Sequence, residues 1–142
     1  MVDEFISDVC DILDIPIPII SFDTSNFTSN TMMAQCNSDG TVIYIKEKQT
    51  PNPDYFFSIA HELRHIWQIL NDSTFYLQHY KTRIECNNLD EYNLQIAELD
   101  ANAFAGLIMI DFFKIKPLFT DSSTLVVSKI FERMDLISKD FA

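Results

Sequence analysis

The sequence predicts a domain that contains both helices and strands, and three observations lead to this prediction. Apolar residues recur at helical spacing in several long stretches of the chain. Two β-prone runs flank an Asp39-Gly40 pair, which is typical of a β-hairpin. The hydrophobic fraction of 47% and the 12 phenylalanines suffice for a core, so the 142 residues predict a single domain, 1–142.

The first part of the chain is predicted to form one helix and three extended segments. Residues 2–14 place apolar side chains at helical spacing and leave an acidic outer face. Residues 15–20 are rich in isoleucine and proline, which excludes a helix interior and indicates an edge strand or the approach to one. The hairpin strands follow at 31–36 and 41–46, and the second has the strongest strand pattern in the chain.

The remainder of the chain is predicted to be mainly helical. A long helix runs from about Tyr55 to Leu70, because its apolar residues follow the period of an α-helix. Residues 51–54 can cap its start, and Asn71-Asp72 ends it. Three segments then follow in chain order: a connection without a clear period that leaves room for a short helix (73–93), a second long helix (94–113), and a last helix capped by residues 121–123.

Charge and cysteine content exclude several classes of function. Lys and Arg number 10 and Asp and Glu 21, and the net charge of −11 argues against nucleic-acid or anionic-membrane binding. Cys10, Cys36 and Cys86 are far apart, which argues against a disulfide framework or a thiolate zinc site. The acidic N-terminus has no signal-peptide pattern, and the longest apolar run, 101–113, is shorter than the roughly 20 residues of a membrane span. We therefore expect a soluble, cytoplasmic protein.

The most informative motif is the run from His61 to His65, which reads H-E-x-x-H. On a helix, the two histidines lie one turn apart on one face, so both imidazoles can reach one metal ion. Glu62 points close to that ion without being a ligand, where a general base could take a proton from metal-bound water. Arg64 is expected to face outward or to pair with a carboxylate. This arrangement predicts a zinc hydrolase.

A catalytic zinc needs a third protein ligand and one open position. His79 is the only other histidine, and it lies outside the metzincin spacing. Glu98 is the better candidate, because a carboxylate on an alanine-rich, apolar helix is costly unless a cation or donor meets it. Asn102 shares its face and could hold a histidine of the first helix. Asp100 points elsewhere if Glu98 faces the metal, and it is the runner-up ligand.

These residues together resemble the gluzincin arrangement and, more narrowly, the ImmA/IrrE family of small bacterial and phage metallopeptidases. In that family an H-E-x-x-H helix is followed by an E-x-E-A-N-x-F-A-like helix, as residues 61–65 are followed here by residues 98–105. The resemblance covers about residues 55–110. It implies a zincin-like α+β fold, in which a small antiparallel or mixed sheet packs on the active-site helix and on a second, ligand-bearing helix.

The resemblance also implies a function, that of a zinc-dependent endopeptidase acting on a specific intracellular protein. By motif position, the implied zinc ligands are His61, His65 and Glu98. The implied general base is Glu62. Strand 41–46 acquires a role too, since in such folds an edge strand beside the active-site helix binds substrate by β-addition. A donor for the developing oxyanion is expected in the connection between the two helices, which offers Tyr76, His79, Tyr80 and Tyr92.

The chain departs from the family pattern in three respects. Asp100 stands where the family usually has a second glutamate, which is a conservative change. Residues 107–111 read Leu-Ile-Met-Ile-Asp instead of a Leu-Leu-Met-Pro-like stretch, with the proline delayed to Pro117. The sequence contains no recognisable helix-turn-helix region, so the DNA-linked regulation that is common around this family is not assigned to this chain.

Two other functions are compatible with the sequence. A zinc-binding regulator or toxin-like partner could keep the site and cleave little, which fits a chain with little room for a substrate domain. A helical interaction protein could carry the H-E-x-x-H motif by accident. Intact ligands and an intact Glu62 favour the peptidase over the regulator. The same His, His, Glu set would also accept other divalent ions.

Overall fold

The α+β class predicted from the sequence is confirmed by a computed structural model, which describes residues 1–48 and 50–141. Within these ranges the chain forms five helices and a three-stranded mixed sheet. None of the helices described there is both long enough and apolar enough to cross a membrane. The elements in chain order are α1 (Val2–Leu13), β1 (Ile19–Ser21), β2 (Ala34–Cys36), β3 (Val42–Ile45), α2 (Pro53–Leu77), α3 (Leu89–Asn93), α4 (Ile96–Phe113) and α5 (Thr124–Asp140).

Helix α1 agrees with the amphipathic helix predicted at the start of the chain. Acidic residues occupy its first turn, where they interact favourably with the helix dipole. Its apolar face is buried, and the ring of Phe5 packs edge-on against Phe56 of α2 with centroids 4.9 Å apart. The helix ends at Asp14, which adopts a left-handed conformation with φ of 54°.

The sheet has the strand order β1-β3-β2. Strand β1 runs parallel to β3, with Ile19 opposite Val42, and β2 runs antiparallel to β3, with Gln35 opposite Tyr44. The predicted hairpin is therefore present, and both of its strands are shorter than expected. Gly40 forms its turn with φ of 75°, a left-handed conformation that glycine adopts without strain.

The role expected for strand 41–46 is wrong, because β3 is the central strand of the sheet. The isoleucine- and proline-rich segment supplies β1, which covers one side of β3, while β2 covers the other. The main-chain groups of β3 are therefore already bonded and are not free to pair with a substrate. Strand β2 lies beside α2 and, among the described residues, has a partner strand on one side only. On its other side, the N–H of Cys36 donates to Glu62 Oε1 over 3.0 Å.

Helix α2 begins as the sequence predicts and extends further. Asn52 is its N-cap, and the side-chain oxygen Oδ1 accepts from the N–H of Tyr55 over 3.0 Å. The regular helix breaks at the predicted place, because Asp72 has φ of −156° and ψ of 63°. The chain then continues as a helix as far as Leu77. Asp72 caps the start of this second stretch, because its side chain accepts from the N–H of Phe75.

Helix α4 lies in the core and packs against both α2 and α5. Ala97, Ala101 and Ala105 are fully buried, and such small side chains let the helix axes approach closely. Helix α5 starts at its cap Ser123, whose hydroxyl accepts from the N–H of Val126. The close approach of α2 and α4 determines the geometry of the site, because the predicted metal ligands lie on these two helices.

Candidate metal centre

The first two predicted ligands lie on α2, one helical turn apart. The Nε2 atoms of His61 and His65 are 3.0 Å from each other, and the two rings meet at 84° with centroids 4.6 Å apart. The imidazoles therefore converge on a point and do not stack. The adjoining face of the helix carries Ile59, Leu63 and Ile66, which are fully buried. Their burial fixes the rotation of α2 about its own axis.

The third predicted ligand, Glu98, comes from the first turn of α4 and is only 2% exposed. Its Oε1 lies 3.3 Å from His61 Nε2, and its Oε2 lies 2.9 Å from His65 Nε2. In the described part of the chain, these three residues form the one group of metal-ligating side chains whose ligand atoms all lie within 4.8 Å of one another. The structure thus brings together the three residues that the sequence selected.

The spacing of these atoms fits a tetrahedral ion. Zinc-ligand bonds of about 2.0–2.1 Å place neighbouring ligand atoms of a tetrahedron about 3.3 Å apart. The two Nε2 atoms are 3.0 Å apart, and one oxygen of Glu98 lies 3.3 Å from His61 while the other lies 2.9 Å from His65, so each contact is close to that spacing. Two imidazoles and one carboxylate are also a donor set that zinc accepts, with a fourth position left for water or substrate.

The pKa values in this group show that the buried carboxylate of Glu98 is stabilised by neighbouring positive charge. Burial opposes ionisation of Glu98, yet the charges of His65 and His61 hold its pKa well below its usual range. Burial also opposes protonation of His65, but Glu98 outweighs this effect and raises the pKa of His65 to about 10. A proton on His65 therefore balances Glu98, which is the role a cation would take at the same place.

Glu62 lies beside the three converging side chains and is not one of them. Its Oε1 accepts from the backbone N–H of Cys36 over 3.0 Å, which ties the carboxylate to the edge of β2. Its Oε2 is 3.8 Å from His61 Nε2 and has no donor among the described residues. Burial, followed by the charge of Glu62, raises the pKa of the Cys36 thiol, so this cysteine stays protonated. The carboxylate thus has one restrained oxygen and one free oxygen at the site.

Of the four candidates for an oxyanion donor, the structure places Tyr80 and Tyr92 at the site. The hydroxyl of Tyr80 donates to Glu98 Oε2 over 2.8 Å, and its oxygen lies 3.1 Å from that of Tyr92. The hydroxyl of Tyr76 instead accepts from Arg133 Nη2 over 2.9 Å. His79 is exposed, and its side chain has no hydrogen-bond partner in residues 1–48 and 50–141.

Asp100, the runner-up ligand, lies outside the group of converging side chains, and its contacts do not support that assignment. It is fully buried and accepts from Arg64 Nε over 2.7 Å and from Arg64 Nη2 over 3.1 Å. Arg133 of α5 also donates to it, through Nε over 2.9 Å. Burial opposes ionisation of Asp100, but the hydrogen bonds and charge of Arg64 hold its pKa below the usual value. Arg64 therefore pairs with a carboxylate, which is one of the two alternatives expected for it.

The role expected for Asn102 is taken by a different residue. Among the described residues, the side chain of Asn102 makes no hydrogen bond to a histidine, whereas Gln68 Oε1 lies 2.9 Å from His65 Nδ1. Sequence reasoning missed Gln68, although its position three residues after His65 on one helix face is a usable signal. It also missed Arg133, for which the local sequence offers no signal.

Comparison of the chain with models of protein families, with curated proteins and with solved structures found no match.

Proposed function

We propose that this protein is a zinc-dependent metallopeptidase of the gluzincin type, as the resemblance to the ImmA/IrrE family suggests. One observation carries the metal-binding part of this proposal. The Nε2 atoms of His61 and His65 and the carboxylate of Glu98 converge within 3.3 Å of one another, on helices that are distant in sequence. A buried glutamate facing two imidazoles is costly to maintain without a cation. Zinc is favoured by this donor set.

Each residue of the site has a distinct part in the proposed hydrolysis. His61, His65 and Glu98 hold the ion, which supplies Lewis acidity that acidifies water and polarises a peptide carbonyl. Glu62 takes a proton from the attacking water at its free Oε2 and passes it to the leaving amine as the C–N bond breaks. The bond from Cys36 N–H to Oε1 keeps the carboxylate oriented for both transfers.

Tyr92 is the proposed donor to the developing oxyanion. Tyr80 and Tyr92 are both near Glu98, but the single proton of Tyr80 is committed to a carboxylate that can only accept, whereas Tyr92 donates to the neutral oxygen of Tyr80, 3.1 Å away, which competes less with an oxyanion. Burial, followed by the charge of Glu98, raises the pKa of Tyr92, so its hydroxyl keeps its proton at neutral pH. A neutral phenol near the reacting carbonyl can donate where negative charge develops.

The substrate is proposed to be a protein or peptide that pairs with the free side of β2. In the hairpin, Lys46 N–H donates to Met33 C=O and Asn37 N–H to Val42 C=O. The main-chain groups of Ala34 and Cys36 therefore point away from β3, where the Cys36 N–H is held by Glu62 and the groups of Ala34 are the ones that a substrate would pair with. An extended peptide added there would lie along the metal centre. The three cysteines are free, which agrees with a reducing cytoplasm as its place of action.

Replacement of Glu62 separates the peptidase from a zinc-binding regulator that cleaves little. We expect Glu62→Gln to keep its zinc and to lose at least about 100-fold in the rate at which a random peptide library is cut. Glu132→Gln on the exposed face of α5 is the matched control and is expected to behave as wild type. A zinc-loaded wild type that cuts no faster than Glu62→Gln would contradict the peptidase and favour the regulator.

A further inference from the structure

Behind the metal centre lies a buried polar cluster that hydrolysis itself does not use. It consists of Arg64 and Gln68 on α2, Asp100 on α4 and Arg133 on α5, and Gln68 and Asp100 are 0% exposed. Buried polar groups are costly unless every donor and acceptor has a partner. The partners of Gln68 connect this cluster to a proposed zinc ligand.

The side-chain amide of Gln68 can adopt only one orientation. Its Nε2 donates to the carbonyl oxygen of Ala97 over 3.0 Å and to Asp100 Oδ2 over 2.9 Å. Both of these atoms only accept, so a flipped amide would set its carbonyl oxygen against two acceptors inside the core. The Oε1 atom of Gln68 must therefore face His65 Nδ1, 2.9 Å away.

This orientation determines which nitrogen of His65 carries a proton. Gln68 Oε1 only accepts, so Nδ1 of His65 must carry a hydrogen. When the imidazole is neutral, its lone pair is then on Nε2, the atom that faces His61 Nε2 at 3.0 Å and Glu98 Oε2 at 2.9 Å. A metal can bind only the nitrogen that has the free lone pair.

We propose that Gln68 is a positioning residue that presents Nε2 of His65 to the metal, and that Asp100 holds Gln68 in the orientation this requires. The inference rests on the proposed metal site and assigns a task to residues that do not touch the ion. Asp100 is held in turn by bidentate hydrogen bonds from Arg64 and by a hydrogen bond from Arg133. Residues of α2, α4 and α5 therefore fix the orientation of the Gln68 amide.

Asp100 also explains why residue 68 is a glutamine and not an acid. A glutamate could accept from His65 Nδ1 as well, but its second oxygen would lie against Asp100 and the Ala97 carbonyl, at the 2.9 and 3.0 Å now spanned by hydrogen bonds. Two carboxylates at that distance in the core repel each other unless one binds a proton. Only an amide both donates to Asp100 and accepts from the imidazole.

The test measures zinc affinity and coordination in the full-length protein. We expect Gln68→Met, which keeps the volume and removes both functions of the amide, to weaken zinc binding about 10- to 100-fold in a chelator competition. Gln78→Met, at an exposed glutamine at the end of α2, is the control and should bind as wild type does. Equal affinity of Gln68→Met and wild type would overturn the inference.

A second measurement uses the wild type and is therefore independent of how any variant folds. Nitrogen-15 NMR of the zinc-loaded protein is expected to show His65 coordinated through Nε2 with a slowly exchanging proton on Nδ1. Coordination through Nδ1 would overturn the inference. A wild type that binds no zinc would refute the proposed function, whereas zinc binding that is indifferent to Gln68→Met refutes only the positioning role.

Discussion

Replacing Asp100 by asparagine should destabilise the protein strongly even in the absence of metal. The substitution keeps the shape of the side chain and one acceptor, but it removes the negative charge that two arginines face. The side chain of Arg64 is only 5% exposed, and the substitution removes the carboxylate that accepts its bidentate hydrogen bonds. The side chain of Arg133 is 23% exposed and can turn towards water. The cost therefore arises mainly from Arg64.

The magnitude follows from this difference in burial. Removing one member of a buried ion pair costs about 3–5 kcal/mol, because a buried charge is left without compensation. A domain of this size is stable by only about 5–15 kcal/mol, so Asp100→Asn should remain folded in the cold and unfold at much lower denaturant concentration. The amide would also direct hydrogen atoms at the donors of Arg64 or Arg133, which adds to the loss.

Urea unfolding of the metal-free protein measures this loss. Asp135→Asn provides the control, because Asp135 is 68% exposed and pairs with Lys139 on the surface, where the change should cost less than about 1 kcal/mol. A double-mutant cycle with Arg64→Met then isolates the coupling between Arg64 and Asp100. If Asp100→Asn unfolds within about 1 kcal/mol of the wild type, the argument from buried charge fails.

Two further predictions concern the site itself. Tyr80→Phe loses the bond to Glu98 Oε2 and should weaken zinc binding by up to about 10-fold in a chelator competition; unchanged affinity would exclude this support for the ligand. Ala34→Pro removes an N–H that points away from β3, so it should raise the KM for peptides and leave zinc affinity as it is. An unchanged KM would exclude peptide pairing with β2.

Local patterns in the sequence were sufficient to predict the long helices and to select the three side chains that converge in the structure. The spacing of His61 and His65 needs only one regular helix, and the cost of burying Glu98 on an apolar helix predicts a partner for it. The helix end predicted at Asn71-Asp72 coincides with a break in α2, where the Asp72 side chain caps the following turn. Each of these inferences depends on residues that are close in the chain.

Features that depend on distant parts of the chain were not predictable in the same way. The strong strand pattern of residues 42–45 does not reveal how many neighbours the strand has, and β1 pairs with it from more than 20 residues away. Asp100 and Arg133 form a hydrogen bond although they are 33 residues apart in the chain. Local periodicity predicts that α5 packs on the core, but it does not predict which residue of α4 Arg133 contacts. Asn102 was the residue expected to hold a histidine, but Gln68 takes that place because the packing of α2 on α4 sets its amide between His65 and Asp100.

Metal analysis of the purified protein tests the central claim most directly. Elemental analysis would compare the wild type with His65→Ala and Glu98→Ala, and with His79→Ala as the control for loss of a histidine outside the site. We predict about one zinc per chain in the wild type and in His79→Ala, and none in the other two variants. A wild type that holds no metal after reconstitution with zinc, or zinc that persists without His65 and Glu98, would contradict the metal centre.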